Sequence, residues 1–560
     1  MILTSRHRTL TPIALAMYAL GAAAWAQTPP DAGRVLRDLQ QAPVLPTPQG
    51  APLQRTDSTP GASNASEAKV LVKSIAITGN RELPIAALES LVADLIGTEQ
   101  TLAQLDAAAQ RITAYYRAEG FAVARAYLPA QDIKDGALTI GIIEGRISSY
   151  NVINKSLLSN EAANAYFDQI KIGDVIRSAQ IDRGLLLLQD TPGVAASRAT
   201  LQPGASVGTS ELLIEVDPSK PFNGSVAIDN YGSRYTGEYR LGGVLNIASP
   251  LSIGDQISFN ALSSGDQLTY VRFAYQLPVG NTGLRVGAAY FDTRYKLGKE
   301  FAALDAHGTA TSTSVFAAYP FIRSQLKNLS GTLSFESKDL SDEVGATATI
   351  TDKRVRLTGL GLAGNLQDTW FGGGINSFDL NIALGRLSIN SPGALAIDSV
   401  SARTNGSYTR VSYSLARLQR ITGSTLLSVS LNGQQASKNL DSSEKYSLGG
   451  VNGIRAYPQG EATGDEGYRA TFELQQTLTS NLQATLFYDL GEVTVNKTPF
   501  GPPAANTRNL AGAGIGLNAS YARVQLRSSL AWRTKGGLPT SIPAGAAKRP
   551  TLWLQAQMGF

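Results

Sequence analysis

The chain has 560 residues, 49 Lys and Arg against 44 Asp and Glu, a formal charge of +5, no Cys and two His. The missing Cys exclude disulfides and a Cys nucleophile, and two His (His7 and His307) exclude a multi-His metal site. So even a charge balance does not point to nucleic acid, and the length allows several domains.

The first residues combine Arg6 and Arg8, an apolar stretch over 12–24 and the small-x-small site Ala24-Trp25-Ala26. This predicts a signal peptide over 1–26, since a retained anchor needs a longer apolar span. Nothing later reaches the ~20 apolar residues of a membrane helix, so a mature chain in a membrane would be a barrel. Within 27–42 a short helical pattern over 31–41 has Asp31 as its cap and Val35, Leu36 and Leu39 on one side. A small helix and a disordered terminus both fit it. Residues 43–69, rich in Pro, Ser, Gly and Ala, read as a flexible linker.

Over 70–146 the pattern is β-α-α-β-β: an extended run to Ile77, a helix over 84–96, a helix over 102–119, and strands from Ala122 and Ala137. Leu105, Ala109, Ile112 and Tyr116 share one stripe of the second helix, and Gly120 can end it. Residues 147–218 repeat the pattern imperfectly. Their run Leu185 to Leu188 reads as a buried helix side rather than a binding patch. In domains this small, an open strand edge can accept an extended peptide.

From residue 219 onward the period is two. Val271, Phe273, Tyr275 and Leu277 alternate with Tyr270, Arg272, Ala274 and Gln276, and Leu552, Leu554, Ala556, Met558 and Phe560 alternate in the same way at the end. About sixteen such segments, with uneven connections, fit an antiparallel outer-membrane barrel over 219–560. A β-sandwich also alternates but rarely needs so many strands. Phe560, closing an apolar face, reads as an assembly signal. His307 lies in a loop-like Asp-Ala-His-Gly stretch and reads as a surface residue.

Two glycine motifs are decoys. Gly359 to Gly364 matches G-x-G-x-x-G but lies in an extended run that opens no helix, and Gly449 to Gly453 lacks the Gly-Lys-Ser/Thr of a phosphate loop. The second lies in a long polar loop, 447–467, holding Gly449, Gly450, Ile454, Arg455, Ala456, Tyr457, Gly464, Asp465 and Gly467. Beyond it, alternation places Asp489 with Phe487 and Gly491, opposite Leu486, Tyr488 and Leu490. A carboxylate is costly against lipid, so Asp489 is expected in the lumen, either solvated or paired.

Four stretches carry a family resemblance: LQDTPGV with LQPG and GTSELLIEV, DNYGSRYTGEYR, GGVNGIRAYPQGEATGDEG, and FYDLG. The mature chain resembles the outer-membrane transporters of two-partner secretion, which export hemolysins and filamentous hemagglutinins. The resemblance implies a membrane all-β barrel of sixteen antiparallel strands, two periplasmic α+β POTRA domains (70–146 and 147–218), a plug helix within 27–42, and the loop 447–467 folded into the lumen. It implies export of an unfolded secreted partner, of hemolysin, adhesin or hemagglutinin type, with no catalytic residue, cofactor or metal; whether transport also activates the cargo stays open. Outer-membrane lipids and the barrel-assembly machinery are the other partners expected, nucleic acid is not, and a monomer is expected. The family's loop tip reads Val-Arg-Gly-Tyr/Phe. Here Ile454-Arg455-Ala456-Tyr457 keeps the Arg but replaces Gly by Ala, which leaves the turn open. Arg455 and Asp489 are expected to pair as a latch, with an exposed pair's strength of about 1 kcal/mol or less in a water-lined lumen. The alternatives are a barrel-assembly factor, which usually carries more periplasmic repeats, and a diffusion porin, which would not need the Arg455 loop.

Overall fold

The computed structural model describes residues 29–39, 53–55, 69–133, 135–502 and 505–560. The signal-peptide expectation lies outside the described residues. So does most of the linker.

Sixteen antiparallel strands, from Phe222–Asp229 to Thr551–Gly559, form a closed barrel. Closure removes every open edge, so each backbone group can pair where no water is available. Alternation sets the two faces: Val271 and Phe273 point outward and are exposed, while Lys338, Val355 and Asp489 point inward and are buried. The wall is tallest around Thr349–Asp368, and the seam is short, pairing residues 225–229 with 559–555. The Gly359 to Gly364 run lies inside Thr349–Asp368. His307, expected in a loop, instead opens the strand Ala306–Arg323, because it pairs across to Glu343 in the ladder and its Nε2 lies 3.4 Å from that carboxylate.

Two small modules precede the barrel. In the first, Ser74–Thr78, Ala137–Ile143 and Arg125–Tyr127 form a sheet, with Ser74–Thr78 parallel to Ala137–Ile143. The helix Leu102–Ala118 starts on a capping box between Thr101 and Gln104 and buries Leu105, Ile112 and Tyr116. The helix expected over 84–96 is shorter, Ile85–Ser90. Beyond it the Leu95 and Ile96 N–H groups bond the Val92 and Ala93 carbonyls three residues back, a single 3₁₀ turn over Ala93–Leu95, and both Val92 and Leu95 are buried in the core. Buried Glu144 gathers the module's loop, accepting from the N–H of Arg81 (2.6 Å), that of Glu82 (2.8 Å) and the Tyr116 hydroxyl (3.1 Å). Burial, and then the Glu144 carboxylate, push the acid dissociation of Tyr116 upward.

In the second module the strands run in the order Leu53–Arg55, Val194–Pro203, Thr209–Pro218, Arg146–Asn154, under the helix Ser178–Gln189. Leu185, Leu186, Leu187 and Leu188 are all buried in its core. Leu53–Arg55 falls within the stretch read as flexible linker, yet it pairs in parallel with residues 199–201, since the edge of Val194–Pro203 accepts an extended segment. This module sits on the barrel end where Phe222–Asp229 begins. Arg323 meets Asp190 with two bonds of 2.7 and 2.8 Å, and the Ser159 N–H donates to the Ser252 carbonyl at 2.8 Å. At the far end most of the connections are longer, and the one after Thr425–Ala436 turns back into the lumen.

Candidate functional site

The inward-turned loop is anchored by charge. At its tip the Arg455 guanidinium donates through Nε to Asp489 Oδ2 (2.9 Å) and through Nη2 to Asp489 Oδ1 (2.8 Å), and its Nη1 reaches Glu473 at 2.9 Å. The backbone N–H of Arg455 also donates to Asp489, at 3.1 Å, and Thr471 supplies a fourth donor. Asp489 is fully buried, and the guanidinium lies over the Phe487 ring, 3.3 Å from its centroid. The environment is therefore drier than the water-lined lumen expected, and the pair is a desolvated one.

The residues around it seat the loop. The Arg455 carbonyl accepts from the Trp553 indole (2.8 Å), the Ala456 carbonyl from the Thr551 hydroxyl (3.0 Å), and the Tyr457 hydroxyl donates to the Lys535 carbonyl (2.7 Å). Ala456 stands outside the left-handed region, so the turn does not require Gly there. Its methyl group rests against Gly512, where a side chain would collide. Ile454 is buried, and its N–H bonds the Leu448 carbonyl at 2.7 Å. Gly449 and Gly450 donate to the Glu461 and Tyr457 carbonyls, at 2.9 and 3.2 Å. Gly464 pairs with Tyr446 in a two-stranded ribbon, and Asp465, fully buried, accepts from Lys445 Nζ at 2.8 Å. Gly467 already lies in the barrel strand Glu466–Thr479. Gly491 lets Leu448 approach: a Cβ there would be 2.9 Å from its Cδ2. Phe560 lies apart from this cluster, at the seam, where its N–H bonds the Gly224 carbonyl at 3.0 Å.

A second body shares the lumen. The helix Ala32–Leu39 packs Ala32, Val35 and Leu36 against Phe291, Leu297, Ala306 and Leu340 of the wall and its loops. Asp31 caps it, accepting from the Arg34 N–H at 2.9 Å, and also accepts from Ser442 (2.6 Å) and Lys353 (3.3 Å). The Ala32 N–H donates to Asp342 of the wall at 2.6 Å. Arg34 donates to the Gly460 carbonyl at 3.0 Å, which ties the helix to the Arg455 loop.

Sequence reasoning missed the other buried charges that hold this filling. Glu461 is fully buried and accepts from Arg508 (2.9 Å) and from the N–H groups of Thr540 and Ser541. Glu444, also fully buried, meets Lys338 at 2.9 Å and Arg410 at 2.7 Å. The signal was present: Lys338 and Arg410 fall on the inward phase of their strands, and a charge that alternation takes away from lipid needs a lumen partner.

A closed sixteen-stranded barrel with preceding α+β modules, and with a helix and a loop held inside its lumen, is the architecture of the polypeptide-transporting class of outer-membrane barrels. The chain belongs to the haemolysin secretion/activation protein ShlB/FhaC/HecB family, which matches residues 208–519, and residues 70–145 match the POTRA domain of ShlB type. It is 28% identical over 509 residues to the heme/hemopexin transporter protein HuxB of Haemophilus influenzae strain 86-028NP, covering 88% of this chain and 89% of that one. It is 23% identical over 483 residues to the outer membrane transporter CdiB of Dickeya dadantii strain 3937, covering 83% and 80%. Among solved structures, CdiB from Escherichia coli superposes with a TM-score of 0.70 at 19% identity, over 91% of this chain and 94% of that one. CdiB from Acinetobacter baumannii gives 0.60 at 17%, over 92% and 95%. This chain is thus a two-partner secretion transporter of the outer membrane, with its POTRA region in the periplasm, and it exports a secreted partner protein.

Proposed function

We propose that the resting transporter is closed by the helix Ala32–Leu39 and the Arg455 loop acting as one stopper, and that the partner enters the barrel, unfolded, once this stopper moves. The supporting observation is the bond from Arg34 to the Gly460 carbonyl, which couples the helix to the loop. The periplasmic modules receive an extended segment of the partner along residues 148–154 of the outer strand Arg146–Asn154, whose first residues are already bridged by residues 173–175, the opposite edge of that sheet being covered by Leu53–Arg55. Main-chain hydrogen bonds would supply affinity there and the half-exposed Ile153 an apolar contact. The partner is of hemolysin, adhesin or hemagglutinin type, the transporter acts as a monomer seated in outer-membrane lipid after insertion by the barrel-assembly machinery, and export uses no catalytic residue or cofactor of this chain.

The chain has no Cys, so an introduced pair is the only reactive one. Arg34→Cys with Gly460→Cys, bridged by a short bis-maleimide, should stop export of the partner, while either single variant treated alike keeps exporting. Undiminished export from the bridged protein would overturn the stopper.

A further inference from the structure

On the outside of the barrel one register line crosses four neighbouring strands: Ser337 opposite Arg356, Arg356 opposite Arg386, Arg386 opposite Ser407. These residues face away from the lumen, because Val355, Leu357, Leu387 and Tyr408, which flank them in the chain, are buried inward. Arg356 and Arg386 are both exposed, and like charges directly opposite each other on antiparallel strands repel. Among the described residues neither guanidinium has a carboxylate partner, whereas Arg354, one step further from the modules, is paired with Asp339 at 2.5 Å.

The surface below this line is apolar. Toward the modules the next line holds Phe335 and Leu384, each about half exposed, and the one after it Leu333 and Leu360. Small hydroxyl side chains (Ser337, Ser407 and Thr409) between these larger groups leave a concavity of about 760 Å³ in the outer wall. Its upper rim is cationic and its floor runs on into the lipid-facing band. An unpaired arginine couple is unfavourable on a lipid-facing wall unless it sits at headgroup depth and meets an anion.

We propose that this concavity binds a phosphate-bearing lipid of the outward-facing leaflet. One phosphate bridges Arg356 and Arg386, whose planar forks match its oxygens, with the Ser337 and Ser407 hydroxyls as flanking donors. The acyl chains lie on Phe335 and Leu384 and continue onto Leu333 and Leu360. A soluble phosphate would satisfy the arginines but leave the apolar floor uncovered, so the occupant is an amphiphile.

The test uses the full chain, purified in a zwitterionic detergent and checked for heat-modifiable mobility as a sign of a folded barrel. The probes are a bis-phosphorylated acyl-glucosamine disaccharide, its phosphate-free form, and inorganic phosphate, with binding read by native mass spectrometry and by thermal unfolding. The phosphorylated lipid should bind Arg356→Gln/Arg386→Gln roughly tenfold more weakly than the parent, the loss expected for a charge-assisted contact. The phosphate-free lipid should bind both proteins equally. Arg386→Gln alone gives a sign test: without lipid its midpoint should equal or exceed the parent's, since repulsion is relieved, and with the phosphorylated lipid it should fall below. Equal binding of the phosphorylated lipid to parent and variant overturns the site, as does a midpoint order that the lipid leaves unchanged. Inorganic phosphate stabilising the parent as much as the lipid does overturns the amphiphile. If the double variant does not assemble, the single variant's two midpoints decide alone.

Discussion

Asp489 accepts both the guanidinium and the backbone N–H of Arg455, so a single carboxylate fixes the side chain and the path of the loop that carries it. Removing Arg455 strands the fully buried Asp489 carboxylate, which typically costs about 3 kcal/mol, well above the figure for an exposed pair, whereas removing Asp489 leaves Arg455 its bond to Glu473 but frees the loop tip. Arg455→Ala and Asp489→Ala should each leave a heat-modifiable barrel and lower export roughly tenfold, and the double variant should be little worse than either, since both remove one contact. Arg455→Lys should not restore export, because an ammonium cannot supply the fork. Additive losses on immunoblots of the exported partner would separate the two residues.

Gly33 faces Ser442 and Ser443 so closely that an added Cβ would meet the Ser442 hydroxyl and lie 2.7 Å from the Ser443 nitrogen. Gly33→Leu should therefore unseat the helix and raise single-channel conductance in planar bilayers, as should deletion of residues 29–39. A conductance equal to the parent's in both would show that the helix does not close the pore.

Period-two alternation was enough to read the barrel, because a wall with lipid on one side and lumen on the other leaves its imprint on every strand, as at Val271 and Phe273. The same rule put Asp489 inward. What alternation does not carry is distance. Glu461 and Glu444 sit in a loop without period, and their partners Arg508, Lys338 and Arg410 come from strands far away in sequence, so only the closed barrel brings them together. The dryness of the Arg455 site was hidden for a related reason: it follows from the Phe487 ring lying against the guanidinium and from the Trp553 indole bonding the Arg455 carbonyl, a packing fact rather than a pattern. His307 shows the reverse error, a loop-like tetrapeptide captured into a strand by its cross-strand partner Glu343.

In the first POTRA module the fold favours neutral Tyr116, so its raised acid dissociation contributes stability that is full below the unfolded value of about 10 and is lost as pH climbs past it. Chemical denaturation of the module between about pH 9 and pH 11 should show the parent weakening more steeply than Tyr116→Phe. Parallel pH slopes would mean that the hydroxyl is not held neutral by the fold.

At the seam the Phe560 ring lies over Gly224, where a Cβ would be 2.6 Å from Cζ, and the two residues exchange backbone bonds of 3.0 and 3.4 Å. Deleting Phe560 removes these bonds and the last apolar residue of the closing strand. The amount of heat-modifiable protein in outer-membrane fractions should fall severalfold, and an unchanged amount would deny the terminus a part in assembly.

The most direct test of the account as a whole is a comparison of the culture medium, periplasm and outer membrane of cells with and without this protein, by quantitative proteomics. Its loss should remove one large secreted protein from the medium, with that protein or its fragments appearing in the periplasm, while other outer-membrane barrels stay at their parental levels. A general fall in outer-membrane barrels with no single missing secreted protein would contradict it.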